Sequence, residues 1–114
     1  MKSVALFFGL MLLMALTNSC KKCNNEDPTA RVVNNGTSAA SLQLKASDGD
    51  IISITELPNG SISSVKSYAP GITIVSCTID GIQLSESVNM SECISYDITI
   101  NSENEIVVFS HDKN

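Results

Sequence analysis

Tryptophan is absent from this 114-residue chain, histidine occurs once, and only seven residues are basic. Each shortage weakens a class of function. Exported domains that bind sugars commonly stack them on aromatic rings, and beyond residue 20 the chain offers only Tyr68, Tyr96 and Phe109. Alternation assigns Tyr96 inward and Phe109 to the last core strand, so Tyr68 alone is left as a stacking platform. Residues 20–114 carry six basic residues against twelve acidic ones, a formal charge of −6. Neither nucleic acid nor anionic lipid headgroups would find a cluster of Lys and Arg there. The single histidine, His111, stands beside Asp112 and Lys113 near the C-terminus. With no second histidine to work with, it reads as a solvated tail residue and not as a metal ligand or general base. The serines are numerous, but no Gly-x-Ser-x-Gly or Asp-x-Asp-x-Asn-Gly pattern accompanies them. The chain is therefore read as non-enzymatic, with no catalytic residues, no cofactor and no metal.

Also missing is any apolar run long enough for a bilayer-crossing helix, which needs roughly twenty residues. The longest, Val4–Leu16, covers thirteen, follows Lys2 and leads through Thr17, Asn18 and Ser19 into Cys20. That is the layout of an export signal. Cys20, preceded by a small residue and followed by Lys21-Lys22, resembles the lipobox of a bacterial lipoprotein, and the Ser-Cys-Lys-Lys run is similar to that of Bacteroidota-type lipoproteins. The usual Leu three residues before the cysteine is replaced by Thr17. The resemblance implies that Cys20 is lipidated and that residues 1–19 are removed, which places the mature protein on the outer membrane of the cell envelope. Ordinary secretion by a cut at the same place is the alternative. Residues 20–28 then read as the lipidated cysteine and a flexible tether ending at Pro28. Glu26 and Asp27 match in part the acidic tethers of surface-exported lipoproteins, so the periplasmic and surface faces both stay open.

Removing residues 1–19 leaves 95, enough for one domain with one core. With Cys20 lipidated, Cys23, Cys77 and Cys93 remain, an odd number in an oxidising compartment. Cys23 lies in the polar tether, whereas Cys77 and Cys93 lie in the folded part.

From residue 29 to 114 the chain reads as an all-β domain, a single small antiparallel β-sandwich of seven to eight short strands. Twelve isoleucines supply the apolar side, and β-branched residues favour pleated surfaces. Strands are predicted over 30–34, 39–47, 50–57, 61–68, 72–79, 82–90, 93–101 and 105–110. Asn35-Gly36, Asp48-Gly49, Asn59-Gly60, Pro70-Gly71 and Asp80-Gly81 punctuate them, and Asp-Gly between strands is a strong hairpin signal. Ala40, Leu42, Leu44 and Ala46 alternate with Ser41, Gln43, Lys45 and Ser47, one face for the core and one for solvent. Glu86 breaks that pattern, sharing the inward parity of Leu84, Val88 and Met90. It is either a desolvated, functional acid or is turned outward by a bulge near 85–87 or by a place at a strand edge.

The segment Tyr68-Ala69-Pro70-Gly71-Ile72-Thr73-Ile74 resembles the Pro-Gly turn and central strand of prealbumin-like and carboxypeptidase-regulatory-like (Ig-like) sandwiches. Ala30–Asn34 followed by Ala39–Leu44 is similar to the opening of small Bacteroidota lipoproteins of unknown function. These are turn and core residues, so the resemblance implies a fold and no site.

The register decides the cysteines. A two-residue turn at Asp80-Gly81 sets Cys77 opposite Leu84, and a tight turn around Ser91 sets Cys93 opposite Asn89. The two then lie about 16 Å apart along one strand, beyond the ~7 Å Cα separation a disulfide tolerates. A Cys77–Cys93 bridge would need one strand to cross to the second sheet. The functional expectation is a monomeric, lipid-anchored envelope module that binds a ligand or protein partner. The alternative is a structural subunit joined to an envelope or pilus-like assembly by edge-strand addition.

Overall fold

The computed structural model describes residues 23–114; the expected signal sequence, the lipidation site at Cys20 and Lys21-Lys22 lie outside them. Eight strands follow one another: β1 (Thr29–Asn34), β2 (Ala40–Lys45), β3 (Ile51–Leu57), β4 (Lys66–Ser67), β5 (Gly71–Ile79), β6 (Ile82–Met90), β7 (Ile94–Ile100) and β8 (Ile106–Asp112). No helix occurs among the described residues. The strands form two four-stranded sheets, ordered β4-β1-β7-β8 and β3-β2-β5-β6. Their inner faces share one core, in which Val32, Ile98 and Ile100 of the first sheet meet Leu44, Val75 and Ile79 of the second. Each side chain of that size, fully buried, contributes about 1.5–3 kcal/mol of transfer free energy.

Seven of the predicted strands appear within two or three residues of their expected limits. The eighth, 61–68, shrinks to β4 and an isolated bridge between Val33 and Ile62. Ser63 is the cause: its hydroxyl takes the Val32 amide at 2.8 Å, a place that a strand carbonyl would otherwise fill. The sandwich is also not purely antiparallel, because β1 runs parallel to β7 from Thr29↔Ser95 to Asn34↔Ile100.

The β5–β6 hairpin follows the predicted register, with Ile79 opposite Ile82 and Cys77 opposite Leu84. Its two turn residues both have positive φ, 52° at Asp80 and 74° at Gly81, the backbone that matches strand twist in a two-residue hairpin. A bulge in β3 does comparable local work. Glu56, at φ 50°, shifts the register between Ala40 and Leu42, so Leu57 turns into the core and Glu56 stays in solvent.

The tight turn expected at Ser91 is not a hairpin. After Met90 the chain crosses to the other sheet, and β7 pairs with β1 and β8 and not with β6. Tyr96 secures the crossing: its hydroxyl accepts from the Ser91 amide at 2.8 Å and donates to the Asn89 carbonyl at 3.3 Å. Cys93, at φ 64°, completes the change of direction.

The registers give the sandwich two distinct ends. The entry end gathers Cys23–Pro28, the turn at residues 46–50, Pro70-Gly71, Ser91–Cys93 and the C-terminal residues. The far end gathers the connections at 35–39, 58–61, 80–81 and 101–105.

Candidate functional site

The outer face of the second sheet carries a broad hollow. Outward parity on four adjacent strands places Ser41 and Gln43 of β2, Ser53 and Thr55 of β3, Ser76 and Thr78 of β5, and Gln83 and Ser85 of β6 around a shallow concavity of about 620 Å³. The register lines them up in rows, with Gln43 opposite both Ser53 and Ser76, and Ser76 opposite Ser85. Every side chain presented is neutral, and each is a hydrogen-bond donor and acceptor. The arrangement suits an uncharged ligand with many hydroxyl or amide groups. Toward the entry end the same face changes character, with Ile51, Ile72 and Ile74 exposed around Lys45.

The outer face of the first sheet holds a smaller hollow of about 300 Å³ bordered by Arg31, Val65, Asp97 and His111. Arg31 and Asp97 are register partners on β1 and β7, and the guanidinium grips the carboxylate with Nε–Oδ1 at 2.8 Å and Nη2–Oδ2 at 3.3 Å. That hydrogen bonding holds the Asp97 carboxyl below the usual aspartate range. His111 belongs to β8 and is not a free tail residue, with Nε2 3.5 Å from Asp97 Oδ2. Ser95 lies opposite His111, but its hydroxyl donates to the His111 backbone carbonyl at 3.4 Å and not to the ring. Serine, histidine and aspartate share a face here without forming a nucleophile–base pair.

Glu86 keeps its inward parity, opposite Val75, and the β5–β6 ladder is unbroken by any bulge, yet it is exposed. β6 is an edge strand, and along it burial gives way from Met90 and Val88 to the exposed Glu86. The functional-acid reading is thereby corrected, and the edge explains it. The aromatics are corrected too. Tyr68, the expected stacking platform, is buried at the entry end, where desolvation pushes its phenol up to about 12. Phe109, expected in the core, is 53% exposed beside Asp97.

The cysteines meet in a way the sequence did not reveal. Cys23 and Cys93 are joined by a disulfide with Cα atoms 5.7 Å apart. Cys77, the inward residue of β5, is free and buried, and that burial pushes its thiol up. The disulfide follows from the crossing at Ser91, which carries Cys93 to the entry end. Residues 23–28 are accordingly strapped down and not a free tether. The Cys93 amide donates to the Glu26 carbonyl at 2.9 Å and the Tyr68 amide to the Pro28 carbonyl at 2.9 Å. Lys113 Nζ donates to the Asp27 carbonyl at 3.1 Å, and the Cys23 amide donates to Asn114 Oδ1 at 2.6 Å.

Sequence reasoning also missed Asn34. Fully buried at the end of β1, its amide donates to the carbonyls of Ser38 and Leu57, both at 2.9 Å, and its Oδ1 accepts from the Gly36 amide at 2.9 Å. At Gly36 space is tight: a Cβ would lie 2.7 Å from both Asn104 Oδ1 and Ile79 Cδ1, so a larger residue displaces those side-chain ends. Beside this clamp, Ser38 and Thr37 both donate to Asp80, and these bonds hold its carboxyl low. Asn104 Oδ1 accepts from the Thr37 amide at 3.0 Å. Three loops of the far end are thus tied together by short polar side chains.

No protein-family model matches the chain, and a search of curated proteins gives no match. Solved structures do resemble it. An NMR structure of a protein from Eubacterium rectale superposes with a TM-score of 0.54 at 16% identity, over 78% of this chain and 92% of that one. The C-terminal domain of AlgF from P. aeruginosa superposes with a TM-score of 0.50 at 16% identity, over 76% of this chain and 98% of that one. Such identities establish a likeness of fold: the chain is a small β-sandwich similar to these bacterial domains.

Proposed function

We propose that this protein is a lipid-anchored, non-enzymatic binding module of a bacterial cell envelope, and that it holds an uncharged, hydroxyl-rich ligand such as a segment of neutral polysaccharide. The observation that carries the binding reading is the hollow of the second sheet, where eight neutral Ser, Thr and Gln side chains are presented in register and no ionisable side chain faces the ligand. The anchoring reading is supported by Lys2, the apolar run Val4–Leu16 and the Ser19-Cys20-Lys21-Lys22 sequence. Two or three acyl chains, at about 0.8 kcal/mol per buried methylene, hold a protein on a bilayer almost permanently. The experiment for the ligand is titration of the protein with neutral glucans and mannans, followed by NMR. Shifts concentrated on Gln43, Ser76 and Gln83, abolished by the hollow-filling Ser76→Trp variant, are expected. Shifts confined to charged polysaccharides, or absent from that face, reject the reading. Lipidation is tested separately: labelled palmitate should enter the wild-type chain and not the Cys20→Ser variant.

A second reading, a structural subunit joined by strand addition, draws on β6. That edge strand runs nine residues with no bulge, no Pro and no Lys, and of the features by which edges usually avoid pairing it has one, the inward-parity charge of Glu86. Oligomers that grow with concentration in gel filtration, and vanish in Ser85→Pro, would favour it over the monomeric module.

A further inference from the structure

We propose that the protein rests on the membrane through the entry end of its second sheet, with Ile51, Ile72 and Ile74 contacting the lipid and the Cys23–Cys93 disulfide holding them there. The inference rests on the lipid-anchored reading of Cys20 and adds to it a contact surface and an orientation.

The disulfide sets the distance. Between Cys20 and Cys23 lie three peptide links, which span about 11 Å at most, whereas a free tether from Cys20 to Thr29 would span about 30 Å. Because Cys23 is bonded to Cys93, the shorter reach applies, and the entry end is the part of the domain brought to the bilayer surface. That end carries apolar side chains where the rest of the sheet face is polar. Ile51 is 56% exposed, Ile72 52% and Ile74 38%. Lys45 lies opposite both Ile51 and Ile74, in the row between them, a place from which a lysine can lay its aliphatic stem along apolar neighbours and reach the headgroup boundary with its ammonium. Exposed isoleucines on a sheet face are otherwise a liability for association with other chains, and a bilayer covers them.

Charge supports the same orientation without driving it. The described basic residues, Arg31, Lys45, Lys66 and Lys113, all lie in the entry half, where they offset part of the charge of Glu26, Asp27, Asp48, Asp50, Glu92, Asp97 and Asp112. The far end carries Glu56, Asp80, Glu103 and Glu105 with no Lys or Arg, so it points away from a membrane surface. The contact is apolar, and it forms on uncharged lipid.

The absence of tryptophan makes the test direct. Full-length lipidated Ile72→Trp and Ile82→Trp variants are each reconstituted into phosphatidylcholine vesicles whose acyl chains are brominated. A side chain seated about 5–10 Å into the interface should be quenched at least about twofold more than one at the far end. The Ile72→Trp emission should therefore be quenched and the Ile82→Trp emission not, with no change on adding salt. Adding Cys23→Ser and Cys93→Ser should reduce the quenching to the far-end level while the protein still floats with the vesicles. Ile51→Trp provides the same reading should Ile72→Trp not fold. Equal quenching of near and far variants in palmitate-labelled protein overturns the orientation while anchoring stands. Absence of the palmitate label overturns both.

Discussion

Reducing the Cys23–Cys93 disulfide should cost this domain a large part of its stability. The bond joins residues 70 apart in sequence, so in the unfolded chain it closes a loop containing β1 to β6 and leaves β7 and β8 outside. On the chain-entropy relation, a loop of that length is worth about 4 kcal/mol at 25 °C. A single domain of this size has an unfolding free energy of about 5–10 kcal/mol, so the reduced protein should remain folded with roughly half its margin gone. The comparison is between residues 21–114 refolded under oxidising conditions and the Cys23→Ser/Cys93→Ser form, each unfolded in guanidinium and followed by far-UV circular dichroism. With a slope of about 2 kcal/mol per molar, the midpoint should fall by about 2 M. The pairing itself is read by alkylation under denaturing conditions: one label on Cys77 without reduction and three after it. A midpoint shift below about 0.5 M would refute the loop argument, and three labels without reduction would refute the bridge.

Three further outcomes follow from the packing and the polar clusters. Asn34→Ala removes a buried side chain that satisfies the Leu57 carbonyl and the Gly36 amide, and should cost about 2–4 kcal/mol. Exposed Asn35→Ala should stay within about 0.5 kcal/mol in the same guanidinium titration, and equal costs would remove the clamp from the account. Ile98→Ala should cost about 2–5 kcal/mol; Phe109→Ala, at the surface, should cost under about 0.5 kcal/mol, and a core-sized loss there would contradict its exposure. Asp80 and Asp97 both have folded-state values below those of the unfolded chain. Their contribution is therefore complete above the ordinary aspartate pKa of about 3.9 and is lost as pH falls through the lower folded values. Urea midpoints measured between pH 2 and pH 6 should fall less steeply for Asp80→Asn and Asp97→Asn than for the wild type, and unchanged slopes would sink this assignment.

What the sequence discloses and what it withholds divide along a physical line. Alternation and turn chemistry are local, and they locate seven strands, the β5–β6 register through Asp80-Gly81, and the solvent parity of Ser41, Gln43 and Lys45. They do not say which strands become neighbours. The polar hollow depends on β2 lying beside β5, a pairing across some thirty residues, so its rows of Ser and Gln are visible only in the fold. Asn34 and Glu86 make the point with one comparison. Both are polar residues at an inward parity, next to apolar residues two positions away, and their strands read alike. Asn34 is sealed because β7 flanks it on one side, residues 60 and 61 bond its backbone on the other, and its side chain meets Ser38 and the end of β3 at Leu57. Glu86 is wet because β6 has a neighbour on one side only and the core reaches along it no further than Met90 and Val88. The desolvation cost that makes a buried carboxylate notable is thus decided by strand order, which neither residue encodes. The disulfide obeys the same logic. Ser91-Glu92-Cys93 has the composition of a hairpin turn, and what diverts it to the other sheet is the Tyr96 hydroxyl reaching back to residues 89 and 91. Removing that hydroxyl with Tyr96→Phe leaves the buried ring in place and strips two hydrogen bonds from the crossing. If the crossing is what brings Cys93 to Cys23, the variant should form the disulfide more slowly during oxidative refolding, and an unchanged rate would show that β1–β7 pairing alone brings the two thiols together.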